Sequence, residues 1–147
     1  MLNLKFLLLL SLLGTSILNV SADEKPYKDI GGYRIFYSSF NSSFILPEIA
    51  SIYNISRGKD KGLVTIAVTR ADKIGGETAL LSGTASNMLA QQKKLDFFEV
   101  REGQIVYYLA PFEYYNEDIL TFKVQIQTEL NKELLSFSFQ NKFYYEK

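Results

Sequence analysis

This sequence predicts an all-β fold, a single antiparallel β-sandwich of about seven strands with an immunoglobulin-like layout and one or two short helical turns. Three observations carry that expectation. Apolar and polar residues alternate strictly through the C-terminal quarter, the signature of strands with one buried face. Short runs rich in aromatic and β-branched residues recur between glycine-bearing turns. No long helical period alternates with those runs, which argues against a parallel α/β sheet.

Taken in order, residues 23–30 are charged and without period and read as a flexible leader, so the sandwich is expected over 31–147. Tyr33 to Phe44 is aromatic and β-branched and reads as the first strand. Pro47 suits a first helical position, where its missing N–H costs nothing, and Ile49, Ile52 and Tyr53 then share a face of a short helix. Val64, Ile66 and Val68 alternate with Thr65, Ala67 and Thr69 after a turn over Gly58 to Gly62. Thr78 to Ala85, Leu95 to Glu102 and Gln104 to Phe112 are three further strands, and Asn87 is placed to cap a turn that would pin Met88 and Leu89 to the core. Leu120, Phe122, Val124 and Ile126 form one inward row and Leu135, Phe137 and Phe139 the next, with a hairpin turn at Asn131 and Lys132.

The first 22 residues hold one Lys at position 5, an apolar run from Phe6 to Leu18, and Val20 and Ala22 at the small-residue positions of a cleavage site. That layout predicts a secretory signal peptide cut after Ala22. Ser11, Gly14, Thr15, Ser16 and Asn19 interrupt the run, so it falls short of the ~20 apolar residues of a bilayer span and no stable membrane anchor is expected. The mature chain carries 15 basic against 16 acidic residues. Such a balance disfavours nucleic acid, which demands a surplus of Lys and Arg. Cysteine is absent, which in an oxidising compartment points to a bacterial envelope protein rather than a disulfide scaffold.

The chain also has no His and no Trp. Serine or cysteine catalysis with a histidine base and Cys/His zinc sites are therefore excluded. Ser56 and Lys59 form an S-x-x-K string, but the companion motifs of acylating enzymes are missing and Gly58 falls where a helix would be needed. Glu113, Glu117 and Asp118 cluster beside Asn116 as turn residues do. Asp96, Glu99 and Glu102 flank Arg101 in a pattern suited to cross-strand pairing. Asp72 beside Gly75 and Gly76 is one acid where a calcium loop needs several. The expectation is no catalytic residue, no cofactor and no metal.

One stretch departs from the half-buried pattern. Ile105 to Ala110, IVYYLA, is apolar on both faces, with Phe112, Tyr114 and Tyr115 just beyond. Either the helix at Pro47 to Tyr53 or the aromatic C-terminal end covers the second face, or that face is an aromatic surface for a partner. On the second reading Tyr107, Tyr108, Tyr114 and Tyr115 are the candidate partner-binding residues.

Four stretches, FNSSFILPEIASIYNI at 40–55, SGTASNML at 82–89, FFEVREGQIVYYLAPF at 97–112 and FQNKFYYE at 139–146, resemble the exported bacterial family known as domain of unknown function 4426. The resemblance spans nearly the whole mature chain and implies a signal-bearing, single-domain bacterial β protein. It brings no catalytic residues. The expected function is an exported, periplasmic, non-enzymatic binding or accessory module for another envelope protein, acting through the tyrosine surface or a sheet edge. The alternative is a small-ligand carrier with an apolar pocket between the sheets.

Overall fold

A computed structural model describes residues 25–128 and 134–147. The expected signal peptide and the turn at Asn131 and Lys132 lie outside the described residues. Among the described residues nine strands form: β1 Tyr27–Ile30, β2 Tyr33–Asn41, β3 Lys61–Arg70, β4 Ala79–Ser86, β5 Gln92–Leu95, β6 Phe98–Glu102, β7 Ile105–Glu113, β8 Asp118–Thr128 and β9 Leu134–Phe143. They make a five-stranded sheet in the order β1-β2-β3-β7-β6 and a four-stranded sheet in the order β5-β4-β8-β9. Every pairing is antiparallel. The chain changes sheet between β3 and β4, β5 and β6, and β7 and β8. The two layers are those of a β-sandwich; the disulfide and buried Trp that mark antibody domains are ruled out by composition.

Parity along each strand decides the interior. Leu120, Phe122, Val124 and Ile126 of β8 face Val64, Ile66 and Val68 of β3 and Val106, Tyr108 and Ala110 of β7 within one buried cluster. Phe122 is fully buried and stacks on Phe139 at 4.9 Å. Phe112 meets Phe122 and Phe143 edge-on, each at 5.1 Å. Such offset and edge contacts suit ring quadrupoles. Gly62 is opposite Phe112, and a Cβ there would come within 2.2 Å of the ring. Only glycine leaves the ring its place across the sheet.

Five expectations are corrected. Part of the expected leader is ordered: Tyr27–Ile30 pair with β2 through a two-residue turn at Gly31 and Gly32, whose φ angles of 57° and 81° suit a tight hairpin. Leu95 to Glu102 is not one strand, because β5 ends at Leu95 in one sheet and β6 begins at Phe98 in the other. The strand from Tyr33 stops at Asn41, and Ser42–Phe44 form a 3-10 turn capped by the Asn41 side chain. The helix α1, Pro47–Ile52, buries Ala50 rather than Ile49 and Ile52, since the small residue admits the closest approach to the sheet. Asn87 accepts from the Leu89 and Gln91 amides, yet Met88 and Leu89 stay 73% and 80% exposed.

Candidate functional site

The outer face of the five-stranded sheet can be read row by row from its register. One row runs Phe40, Leu63, Pro111 across β2, β3 and β7. The next runs Ser38, Thr65, Leu109, Phe98 and adds β6, with the Ser38 and Thr65 hydroxyls 2.6 Å apart. A third runs Tyr27, Phe36, Ala67 across β1, β2 and β3, and resumes as Tyr107 and Val100 across β7 and β6. Tyr107 falls in line with Ala67 because Tyr108 is opposite Ile66.

The short helix divides this face. Ala50, Ile55, Ile45 and Tyr53 pack on Phe40, Leu63, Leu109 and Phe98, so α1 covers half of the second apolar face of β7, as the first reading of IVYYLA expects. The third row is closed at its β6 end, where Val100 is 6% exposed, and stays open from Tyr27 to Tyr107. Phe36 is 39% exposed and Ile105, one row further along, 47%; Tyr27, Ala67 and Tyr107 are half-buried. Tyr27 and Phe36 rings lie 5.7 Å apart, and the Arg34 guanidinium sits 4.1 Å over Tyr27 while holding both Asp29 oxygens. That charge-assisted hydrogen bond from Arg34 keeps the Asp29 carboxyl below the usual carboxylate range. Beside Phe36 an open cleft of about 590 Å³ is lined by Arg34, Thr69, Arg70 and Lys73. An apolar row with a polar, ion-paired border has the anatomy of a protein interface.

The four predicted tyrosines do not come together. Tyr107 belongs to the exposed row. Tyr108 points between the sheets, 4% exposed, where its hydroxyl accepts from the Ala79 amide at 2.8 Å and donates to Glu99 at 3.2 Å. Burial pushes its ionisation above the ordinary tyrosine range. Tyr114, also 4% exposed, closes the β7–β8 corner: its hydroxyl accepts from the Asn41 amide and lies 2.9 Å and 3.0 Å from the Lys59 and Tyr144 carbonyls. Burial raises its pKa too. As surface residues for a partner, Tyr108 and Tyr114 are corrected to structural ones, because strand parity and the corner turn them inward. Tyr115 is 69% exposed but stands at the end of the sandwich, lining a cleft of about 290 Å³ with Tyr145 and Asp118. Phe36 and Tyr27 were missed from sequence; their signal was cross-strand alignment with Tyr107, which appears only once register is known.

The acidic candidates disperse. Glu113 pairs with Lys61 at 3.1 Å and Lys93 at 3.7 Å, and the Lys61 hydrogen bond lowers its pKa. Asp118 accepts from the Tyr115 amide, and Glu117 is an exposed turn residue with φ 62°. Ser56 is exposed in the loop before β3, and the Lys59 ammonium lies 5.2 Å over the Tyr145 ring. Among the described residues no three His, Cys, Asp or Glu side chains converge as a metal set.

The sheet edges are each blunted in a recognisable way. Strands β1 and β5 have four residues each, with Lys28 in one and Lys93 and Lys94 in the other. β6 carries Glu99, Arg101 and Glu102. Beyond Leu109, where β6 pairing stops, β7 presents Pro111, which cannot donate to an added strand. On the long strand β9, Lys28 donates to the Ser138 carbonyl at 2.7 Å, and Asn141 reaches across to the Ser39 carbonyl of β2 at 3.1 Å.

The molecule is therefore, by class, a two-sheet antiparallel β-sandwich with an open aromatic row on the outside of the five-stranded sheet. The chain belongs to the DUF4426 family, a domain of unknown function whose sequence model matches residues 27–146. A crystal structure of a DUF4426 family protein from Pseudomonas aeruginosa superposes with a TM-score of 0.73 at 25% identity, covering 82% of this chain and 95% of that one. A copper-bound variant of FetP from uropathogenic Escherichia coli gives 0.55 at 10% identity over 82% and 95% of the two chains. FetP as isolated after expression in the E. coli periplasm gives 0.54 at 9% identity over 82% and 94%. The FetP likeness is one of fold. No curated protein is significantly similar in sequence.

Proposed function

We propose that this chain is an exported, periplasmic, non-enzymatic binding module that docks another envelope protein on the outer face of its five-stranded sheet, with Phe36 and Tyr107 at the centre of contact. The carrying observation is the uncovered row Tyr27, Phe36, Ala67 and Tyr107 beside the half of the same face that α1 protects. Large aromatic side chains ringed by polar groups supply most of the energy at protein interfaces. The blunted edges favour this face over strand addition. Export rests on the signal layout of residues 1–22.

Neither a copper carrier nor a pocketed carrier gains comparable support. FetP holds copper in its structure, but copper sites draw on imidazole, thiolate and thioether ligands, and here His and Cys are absent and the methionines are Met1 and Met88 alone. The space between the sheets is filled by Phe122, Ile35, Ile66, Leu95 and Ile126, each under 2% exposed.

Site-specific photo-crosslinking in intact cells tests the proposal. Probes at Phe36 and Tyr107 should trap one and the same neighbour, whereas a probe at Ser136 on the opposite sheet should not. Equal labelling from all three positions, or none from the first two in a correctly exported chain, would defeat it. N-terminal sequencing of the exported chain should begin at Asp23.

A further inference from the structure

Beyond Leu109, where pairing with β6 stops, β7 is a free edge of its sheet, and β5 is a free edge of the other. The two edges face each other along one side of the sandwich, where Lys93 of β5 meets Glu113 of β7 at 3.7 Å. Two clefts open along this seam. One, of about 290 Å³, runs to the end of the molecule past Gln91, Gln92 and Tyr115. The other, of about 310 Å³, continues past Lys94 and Pro111. They share Lys93, Phe112 and Glu113 as a common wall and so form one groove. None of Tyr27, Phe36, Ala67 and Tyr107 lines it.

The two lobes of the groove carry opposite charge. The first is lined by Asp60, Glu113 and Asp118 against Lys93, the second by Lys61, Lys93 and Lys94 against Glu113. Lys61 at 3.1 Å and Lys93 at 3.7 Å share the one Glu113 carboxylate, which leaves a positive charge on that trio, while Lys94 is balanced by the exposed Asp96 at 3.1 Å. Asp60 and Asp118 make no ion pair among the described residues. The Lys59 ammonium stands over the Tyr145 ring at 5.2 Å, outside the lining of the acidic lobe. The floor is apolar, with buried Phe112 common to both lobes and buried Ala85 and Leu120 in the first, where the Tyr115 and Tyr145 rings also stand. From Gln91 in the first lobe to Lys94 in the second is three residue steps, roughly 10 Å at the rise of a β-strand.

We infer that this groove binds a short peptide, about three residues long, by its two charged termini. An extended chain advances about 3.3–3.6 Å per residue, so about three residues span the roughly 10 Å between the lobes. The peptide ammonium is met by Asp60 and Asp118 and its carboxylate by Lys61 and Lys94, through charge-assisted hydrogen bonds that exceed neutral ones in strength. Peptide side chains rest on the apolar floor and the tyrosine rings. A free amino acid cannot reach both lobes, because its ammonium and carboxylate share one carbon. A simple cation or anion gains at one lobe and is repelled at the other.

Isothermal titration calorimetry of the full exported chain with trialanine tests the inference. Trialanine with free termini should bind saturably, with a Kd in the micromolar to millimolar range. N-acetyl-trialanine and trialanine amide should each bind about tenfold more weakly, the loss expected from one hydrogen bond to a charged group. Free alanine should bind more weakly still. Asp118→Asn should weaken trialanine about tenfold yet leave the acetylated peptide unchanged, since the variant and the cap remove the same contact. Lys94→Gln should do the same for the amide. Glu102→Gln, on β6 outside the groove, should alter nothing. Matching melting temperatures establish that the variants are folded, and the capped peptides test the unaltered chain directly. No saturable binding at millimolar trialanine, or equal affinity for the capped peptides, would overturn the inference. Loss on amidation without loss on acetylation would overturn it too, in favour of capture of a polypeptide C-terminus.

Discussion

Tyr107 and Tyr108 are neighbours in sequence and opposites in role, because successive side chains of a strand point to opposite faces. Tyr108 spans the space between the sheets, and its hydroxyl satisfies the buried Ala79 amide. Tyr108→Phe should therefore cost about 1–3 kcal/mol in chemical denaturation, the price of an orphaned buried donor. Tyr107→Phe should stay within about ±0.5 kcal/mol. Equal costs would mean that the facing of β7 is reversed. The doubled apolar run signalled that both faces were occupied, but both orientations of it are the same string of letters. Likewise Tyr114 reads as a loop aromatic until Asn41, Lys59 and Tyr144, distant in sequence, are seen around its hydroxyl.

At the level of strands and turns, periodicity was a reliable guide wherever one face is buried. The inward rows of β8 and β9 are those the alternation predicts, from Leu120 to Ile126 and from Leu135 to Phe137. Legibility failed where chain direction changes without a strong breaker. Asp96 and Phe97 carry the chain from one sheet to the other although neither is Gly or Pro, so β5 and β6 look continuous. Gly31 and Gly32 turn the chain between β1 and β2, but β1 is short and charged and offers no period that would mark it as a strand, so it reads as leader. Packing between strands is most exacting at Gly62. Gly62→Ala should destabilise by about 1–3 kcal/mol through overpacking against Phe112. In a Phe112→Ala background the same substitution should cost little, and a double-mutant cycle by thermal or urea unfolding would report the coupling. Additive costs would show that the ring is not what confines that glycine.

For the whole molecule, the absence of His leaves no side chain with an ordinary pKa between pH 5 and 8. Burial raises Tyr108 and Tyr114. Their contribution is complete below the ordinary tyrosine pKa of about 10 and is lost as pH rises through their higher folded values. Asp29, Asp72 and Glu113 are lowered by hydrogen bonds from Arg34, Arg70 and Lys61. Their contribution is present above the ordinary carboxylate pKa of about 4 and fades as pH falls through the lowered values, weakly because these pairs are solvent-screened. The melting temperature should hence be flat from about pH 5 to 9 and fall above it, with absorbance at 295 nm showing two tyrosines that ionise at higher pH than the others. A step in melting temperature near neutrality would contradict this. By itself the sequence determined the all-β class, the inward parity of the long strands, the exclusion of histidine and cysteine chemistry, and the family, since each depends on residue type or on a period of two. Only the tertiary structure decided which face of β7 is covered, which tyrosines are structural, and how Tyr27, Phe36 and Tyr107 line up. Those properties depend on register between strands far apart in the chain, and no local pattern encodes it.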